Sequence, residues 1–189
     1  NSKQAILLFQ PQSAITGLLT TVMDGERHFL LQARAEPGTT GQAQYGPTVQ
    51  SPPANYLRAH GGKATAYVDR FTTCTPSLRV LHDSMQLDLG ERYLLKSKRL
   101  IVAECAPGIA LEEGFVWVAA RVISQAIRQP TFFNIDLCSL LAVCAWDEPG
   151  EGQLRPVEPA AQASLRLPVR AERLAAVLAE LPGPIARYR

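Results

Sequence analysis

Side chains able to move protons and to hold a developing anion are concentrated between Gln32 and Gly62 of this 189-residue chain. They fall in short runs: Glu36-Pro37-Gly38, then Tyr45-Gly46-Pro47-Thr48-Val49-Gln50, then Asn55-Tyr56, then His60-Gly61-Gly62. A carboxylate and an imidazole can take a proton, a phenol can give one, and amides and hydroxyls can fix an oxygen by hydrogen bonding. Gln32 and Arg34 precede this set, and Lys96, Lys98 and Arg99 add cations further on. The chain has no pair of His four apart on a helix, no Gly-rich loop ending in Lys-Ser or Lys-Thr, and no Ser flanked by glycines in an elbow motif. The sequence therefore carries no signature of a zinc hydrolase, a P-loop enzyme or an α/β-hydrolase.

The elements that must position these residues are legible from pattern. Asp24-Gly25 lies between two β-rich runs, Ile15 to Val22 and His28 to Ala35, which predicts a tight hairpin because that dipeptide accepts positive φ. Period-2 geometry places His28, Leu30, Gln32, Arg34 and Glu36 on one face of the second strand. Pro37 to Gln44 reads as a loop able to close over a ligand. Thr48-Val49-Gln50 reads as a short strand stopped by Ser51-Pro52-Pro53. Arg92 to Glu104 is β-rich, and Phe115 to Gln129 predicts a helix ended by Pro130. Asn134 or Asp136 caps a helix begun by the apolar run from Leu137 to Trp146.

Composition sets outer bounds. With 47% hydrophobic and 19% charged residues, the chain can bury the core of one domain. A net charge of +2 excludes the basic field that nucleic acid requires, and the apolar runs fall well short of the roughly 20 residues needed to span a bilayer. The start at Asn1 shows no apolar signal core, so the expectation is a cytoplasmic protein with no membrane partner. Cys74, Cys105, Cys138 and Cys144 lack both zinc-knuckle spacing and the density of a disulfide scaffold, and are expected to be free thiols.

The ordered runs Gln32-Ala33-Arg34-Ala35-Glu36-Pro37-Gly38, Pro47-Thr48-Val49-Gln50 and Asn55-Tyr56 resemble the NDP-4-keto-6-deoxyhexose 2,3-dehydratase family. The resemblance continues in Gln10-Pro11, Gly17, Tyr67 to Phe71, Asp83 to Gly90, Lys96 to Glu104, Trp117 and Asn134-Ile135-Asp136. It implies an α/β (α+β) fold, a Nudix-like mixed sheet flanked by helices, over residues 1–146; the Pro-, Gly-, Glu- and Gln-rich stretch 147–168 reads as an irregular arm or linker, and the apolar spacing of Val169, Leu174, Val177, Leu178 and Leu181 predicts a helix within 169–189 that docks on the domain or a partner. The family carries paired repeats and this chain has room for one, which implies a homodimer. The metal-binding helix signature of Nudix hydrolases is absent, and the implied reaction requires neither metal nor other cofactor.

By the same resemblance the substrate is a small molecule, a nucleotide-linked 4-keto-6-deoxysugar, from which a base removes the C3 proton before the C2 hydroxyl leaves. His60 or Glu36 is the candidate base and Tyr56 the acid, with Lys96 or Arg99 pairing with the enolate or the phosphates. Gln32, Arg34, Thr48, Gln50 and Asn55 complete the substrate-binding set. Pro52-Pro53-Ala54 stands where the family has an Arg before Asn-Tyr, and Leu137-Cys138 stands where it has Thr-Arg. Those losses open two alternatives: elimination, isomerisation or cyclisation of a non-sugar, polyketide-type intermediate, or a noncatalytic binding module.

Each residue also has a plainer use. His60 can end a turn, Glu36 can pair with Arg34, and Gln50 and Asn55 can tie the Pro-rich loop to the sheet. Lys98 is expected to be solvated, and Trp117 and Trp146 to sit in core or interface.

Overall fold

The computed structural model describes residues 8–9, 12–36, 43–59, 61–73, 77–88, 93–94 and 96–144, all within the first of the chain's two units, Asn1–Pro156. His60, the 147–168 arm and the 169–189 helix lie outside the described residues. The elements follow in the order β1 (Leu8–Phe9), β2 (Ala14–Met23), β3 (Glu26–Arg34), β4 (Gln44–Gly46), β5 (Val49–Ser51), α1 (Pro53–Tyr56), α2 (Asp69–Thr72), β6 (Leu78–Leu87), β7 (Tyr93–Leu94), β8 (Ser97–Cys105), β9 (Phe115–Ala119), α3 (Ala120–Ala126) and α4 (Ile135–Val143).

The hairpin forms where expected. Asp24 and Gly25 take φ values of 51° and 76°, the paired positive angles of a type I′ turn whose twist matches the flanking strands. Met23 then faces Glu26, and β2 and β3 zip back to Thr20 opposite Phe29. On its other edge β2 runs parallel to β8, Ala14 opposite Lys98 through Thr20 opposite Glu104, and β6 closes that side antiparallel to β8. β9 lies antiparallel on β3. The result is a mixed seven-stranded sheet with few helices, in agreement with the α/β (α+β) expectation.

β2, β3 and β8 are apolar on both faces because both faces are covered. One face packs Leu18, Phe29, Leu31, Leu100 and Val102 against Ile123 of α3 and Leu137, Leu140 and Leu141 of α4. The other packs Ile15, Leu19, Leu30, Ile101 and Ala103 against Val49, Tyr67 and Phe71. Neighbouring residues such as Leu18 and Leu19 are both fully buried, in opposite cores, so burial of each contributes about 1.5–3 kcal/mol as an upper value.

Two expectations are corrected. The helix foreseen over Phe115 to Gln129 begins only at Ala120; its first five residues form β9. Phe-Val-Trp-Val is aromatic and β-branched, and it pairs along a β3 edge that the local pattern could not reveal. Lys98 is not solvated: its side chain is 15% exposed and paired with Asp136, whose carboxylate therefore does not serve as a cap. Asn134 does cap α4, its side chain accepting from the Leu137 amide.

Candidate active site

Past their hairpin β2 and β3 separate, and the chain from Gln44 to Ser51 enters the gap. Its first half, β4, pairs with β3; its second half, β5, pairs with β2. Thr48 sits at the changeover with 1% exposure, its hydroxyl accepting from Leu19 N at 2.9 Å and donating to Leu30 O at 2.6 Å. One side chain thus substitutes for the ladder bond that β2 and β3 cannot make where they part. Thr48, foreseen as a substrate contact, has both hydrogen-bonding capacities used by the sheet.

The polar face of β3 closes on itself. Arg34 donates from Nε to Glu36 Oε1 at 2.9 Å and from Nη1 to Gln32 Oε1 at 2.7 Å, a contact set that positions i, i+2 and i+4 on one strand face allow. Gly46 lies against this group. A Cβ there would fall 2.6 Å from Arg34 Cδ and 2.9 Å from Asn134 Nδ2, so glycine is what admits both side chains. Asn134 is buried at 5%, its amide N–H donating to Tyr45 O and its Nδ2 to Gln50 Oε1 at 2.8 Å. The Gln32, Arg34 and Glu36 set and Gln50 are thereby brought to the two sides of a contact through Gly46 and Asn134. In the first turn of α4, Asp136 accepts from Lys98 at 2.5 Å, and Asp88 lies 3.9 Å from Lys98 and 3.4 Å from Lys96. Lys96 also stands over the Tyr93 ring at 3.8 Å.

Tyr56 and Arg99 are held by other partners. Tyr56, half-buried at the end of α1, donates its hydroxyl to Ser13 O at 3.0 Å, and Asn55 is exposed on the same short helix. Arg99 alternates with Lys98 and so emerges on the opposite sheet face, held in a two-point contact by Asp83. The Arg99 hydrogen bond holds the Asp83 carboxyl below its ordinary range despite partial burial. Arg99 borders a depression of about 240 Å³ lined by Arg70, Phe71, Thr72 and Ile101. Among the described residues no group of three or more His, Cys, Asp or Glu is placed to hold a metal, and no helix is long and apolar enough to cross a membrane. Cys105, Cys138 and Cys144 are free thiols, and burial pushes Cys144 up to about 12.

Sequence reasoning missed Asn134 and the Lys98–Asp136 pair as parts of this group. The Asn-Ile-Asp run was a visible signal, but its partners are 84 and 38 positions away.

The family model described as NDP-hexose 2,3-dehydratase matches residues 2–144. A dTDP-4-dehydro-6-deoxy-alpha-D-glucopyranose 2,3-dehydratase from Streptomyces violaceoruber is 36% identical over 148 residues, 78% of this chain and 33% of that protein. Its counterpart from Amycolatopsis orientalis is 31% identical over 145 residues, 77% of this chain and 31% of that protein. The chain spans about a third of the length of these curated relatives. Among solved structures, a Nudix hydrolase from M. smegmatis aligns with a TM-score of 0.43 at 14% identity, over 70% of this chain and 83% of that one. The C. elegans Ap4A hydrolase aligns at 0.41 and 16% identity, over 72% and 95%.

Proposed function

The chain belongs to the NDP-hexose 2,3-dehydratase family, and from that premise we propose that it eliminates water across C2 and C3 of a nucleotide-linked 4-keto-6-deoxysugar. The observation that supports this reading is that Arg34, which holds Gln32 and Glu36, and Asn134, which holds Gln50, meet at Gly46.

The C4 carbonyl acidifies the C3 hydrogen. Glu36, partly exposed two residues beyond β3, takes that proton, and the C–H electron pair becomes the C3–C4 enolate with its charge on the C4 oxygen. Protonation of Glu36 removes the anion that Arg34 pairs with, at the moment when a new anion appears on the substrate. The guanidinium is then available to the enolate. As the C4 carbonyl re-forms, the enolate pair becomes the C2–C3 double bond and the C2 hydroxyl departs, taking a proton to leave as water. Tyr56 is the candidate for that proton, and His60 is the alternative to Glu36 as the base. The sequence of steps is redox-neutral. A small-molecule substrate, a cytoplasmic setting and a homodimer belong to the same reading.

Incubation of the protein with a dTDP-4-keto-6-deoxyhexose in deuterated water tests it. Exchange of the C3 hydrogen for deuterium in recovered substrate, and loss of the C2 oxygen with deuterium entering at C2 of the product, are expected, and Glu36→Gln should abolish both. A response only to a carrier-linked or free keto acid would move the reading to a non-sugar intermediate, and binding without turnover would favour a noncatalytic module.

A further inference from the structure

Asn134 does more than begin a helix. The backbone N–H of Leu137 can only donate, so the Asn134 atom 2.9 Å from it is Oδ1 and the side chain has a single orientation. Nδ2 then points at Gln50, and the Gln50 atom that receives it at 2.8 Å is an oxygen. With its carbonyl occupied, half-buried Gln50 has its Nε2 amino group left as a donor. Among the described residues that group donates to no protein acceptor, whereas Gln32 Oε1 is occupied by Arg34 and the Thr48 hydroxyl by the sheet. A fixed donor with no acceptor among the described residues, held by the Asn134 side chain that meets Arg34 across Gly46, is what an appearing oxyanion needs.

We propose that Gln50 Nε2 is the hydrogen-bond donor to the C4 enolate oxygen, and that Asn134 is the positioning residue that fixes its orientation by relaying the polarity of the α4 cap. The inference rests on the dehydratase reading above and names a residue for its oxyanion step. A neutral amide bonds the oxyanion more strongly than the ketone, so its contribution falls on the rate constant rather than on substrate affinity.

The test is Asn134→Asp. A carboxylate caps a helix as well as an amide does and suits its N-terminal dipole, so the fold is retained. It cannot donate, however, so Gln50 must turn its Nε2 to the new carboxylate and its oxygen away from it. The expected result is a kcat lower by about 100-fold, the scale of losing one oxyanion donor, with KM changed less than about threefold and an unaltered melting temperature. The rate of C3 deuterium exchange should fall in parallel. Gln50→Glu keeps the bond from Asn134 and the side-chain shape while replacing the remaining donor with an acceptor; it should lose as much, and it answers the question if the first variant unfolds. The double variant Asn134→Asp/Gln50→Ala should be no slower than Gln50→Ala alone. Wild-type kcat in either Asn134→Asp or Gln50→Glu overturns the assignment and leaves the dehydratase reading standing. Absence of both exchange and elimination in the unaltered protein overturns that reading and the assignment with it.

Discussion

Replacing Thr48 by Val removes one hydroxyl, keeps the branched shape, and leaves two backbone groups unpaired at a site with 1% exposure. Leu19 N–H loses its acceptor at 2.9 Å and Leu30 C=O loses its donor at 2.6 Å. Each buried orphan costs about 1–3 kcal/mol, so the pair costs about 2–6 kcal/mol, reduced somewhat because the buried hydroxyl is itself gone. A net loss near 3 kcal/mol is a large share of the roughly 5–15 kcal/mol that holds a domain folded. With a urea m value of about 1.5 kcal/mol per M, the midpoint should drop by about 2 M. Thr48→Ser is the control: it keeps both hydrogen bonds and deletes one methyl, for about 1 kcal/mol. Equilibrium urea unfolding of the three proteins decides the matter. A Val variant within 1 kcal/mol of the parent, or one more stable than the Ser variant, would falsify the view that this hydroxyl bridges the parted strands.

At the far end of β8, burial pushes Glu104 up, but hydrogen bonds from Arg27 at 2.7 Å and from Arg79 more than offset it, so its carboxyl ends below the usual glutamate range. A depressed folded pKa contributes stability above the unfolded value and loses it as pH falls through the folded value. Melting temperature should therefore decline below about pH 4.5, and Glu104→Gln should lower stability at pH 7 and flatten the acid decline; an unchanged acid slope in that variant would refute the pairing. Among the described residues β6 pairs with β8 alone, at the edge of the sheet, and exposes Val80, Met85 and Leu87, surface suited to a second copy. Light scattering at micromolar concentration should give the mass of a homodimer, and a monomer would rule it out.

Local rules were enough for features whose cause is local. Asp24-Gly25 specified the hairpin because positive φ is a property of those two residues, and Asn134 specified the α4 start because the cap closes within three positions. Where the cause lies across the fold, the sequence was silent. β6 went unforeseen because its polar and apolar residues follow no clean alternation: it is an edge strand with an irregularity between Val80 and His82. Lys98 looked solvated because Asp136 is distant in sequence, and β9 looked helical because an apolar run does not reveal whether an open strand edge awaits it. The convergence of Gln32, Arg34 and Glu36 followed from strand periodicity, but their link to Gln50 depended on the absence of a side chain at Gly46.

The parallel pairing of β2 with β8 also dictates an order of events during folding. The β2–β3 hairpin closes through a two-residue turn and can form within about 1–10 μs, whereas the centre of the sheet must join residues 84 positions apart in sequence. A ribosome has to deliver the chain through Glu104 before that central ladder can exist at all, and at about 5–20 residues per second the finished hairpin waits several seconds with its apolar edge open. The interval in which this protein most needs a chaperone is thus written into its strand order, and synthesis slowed between β6 and β8 should lower the folded yield more than the same delay after β9.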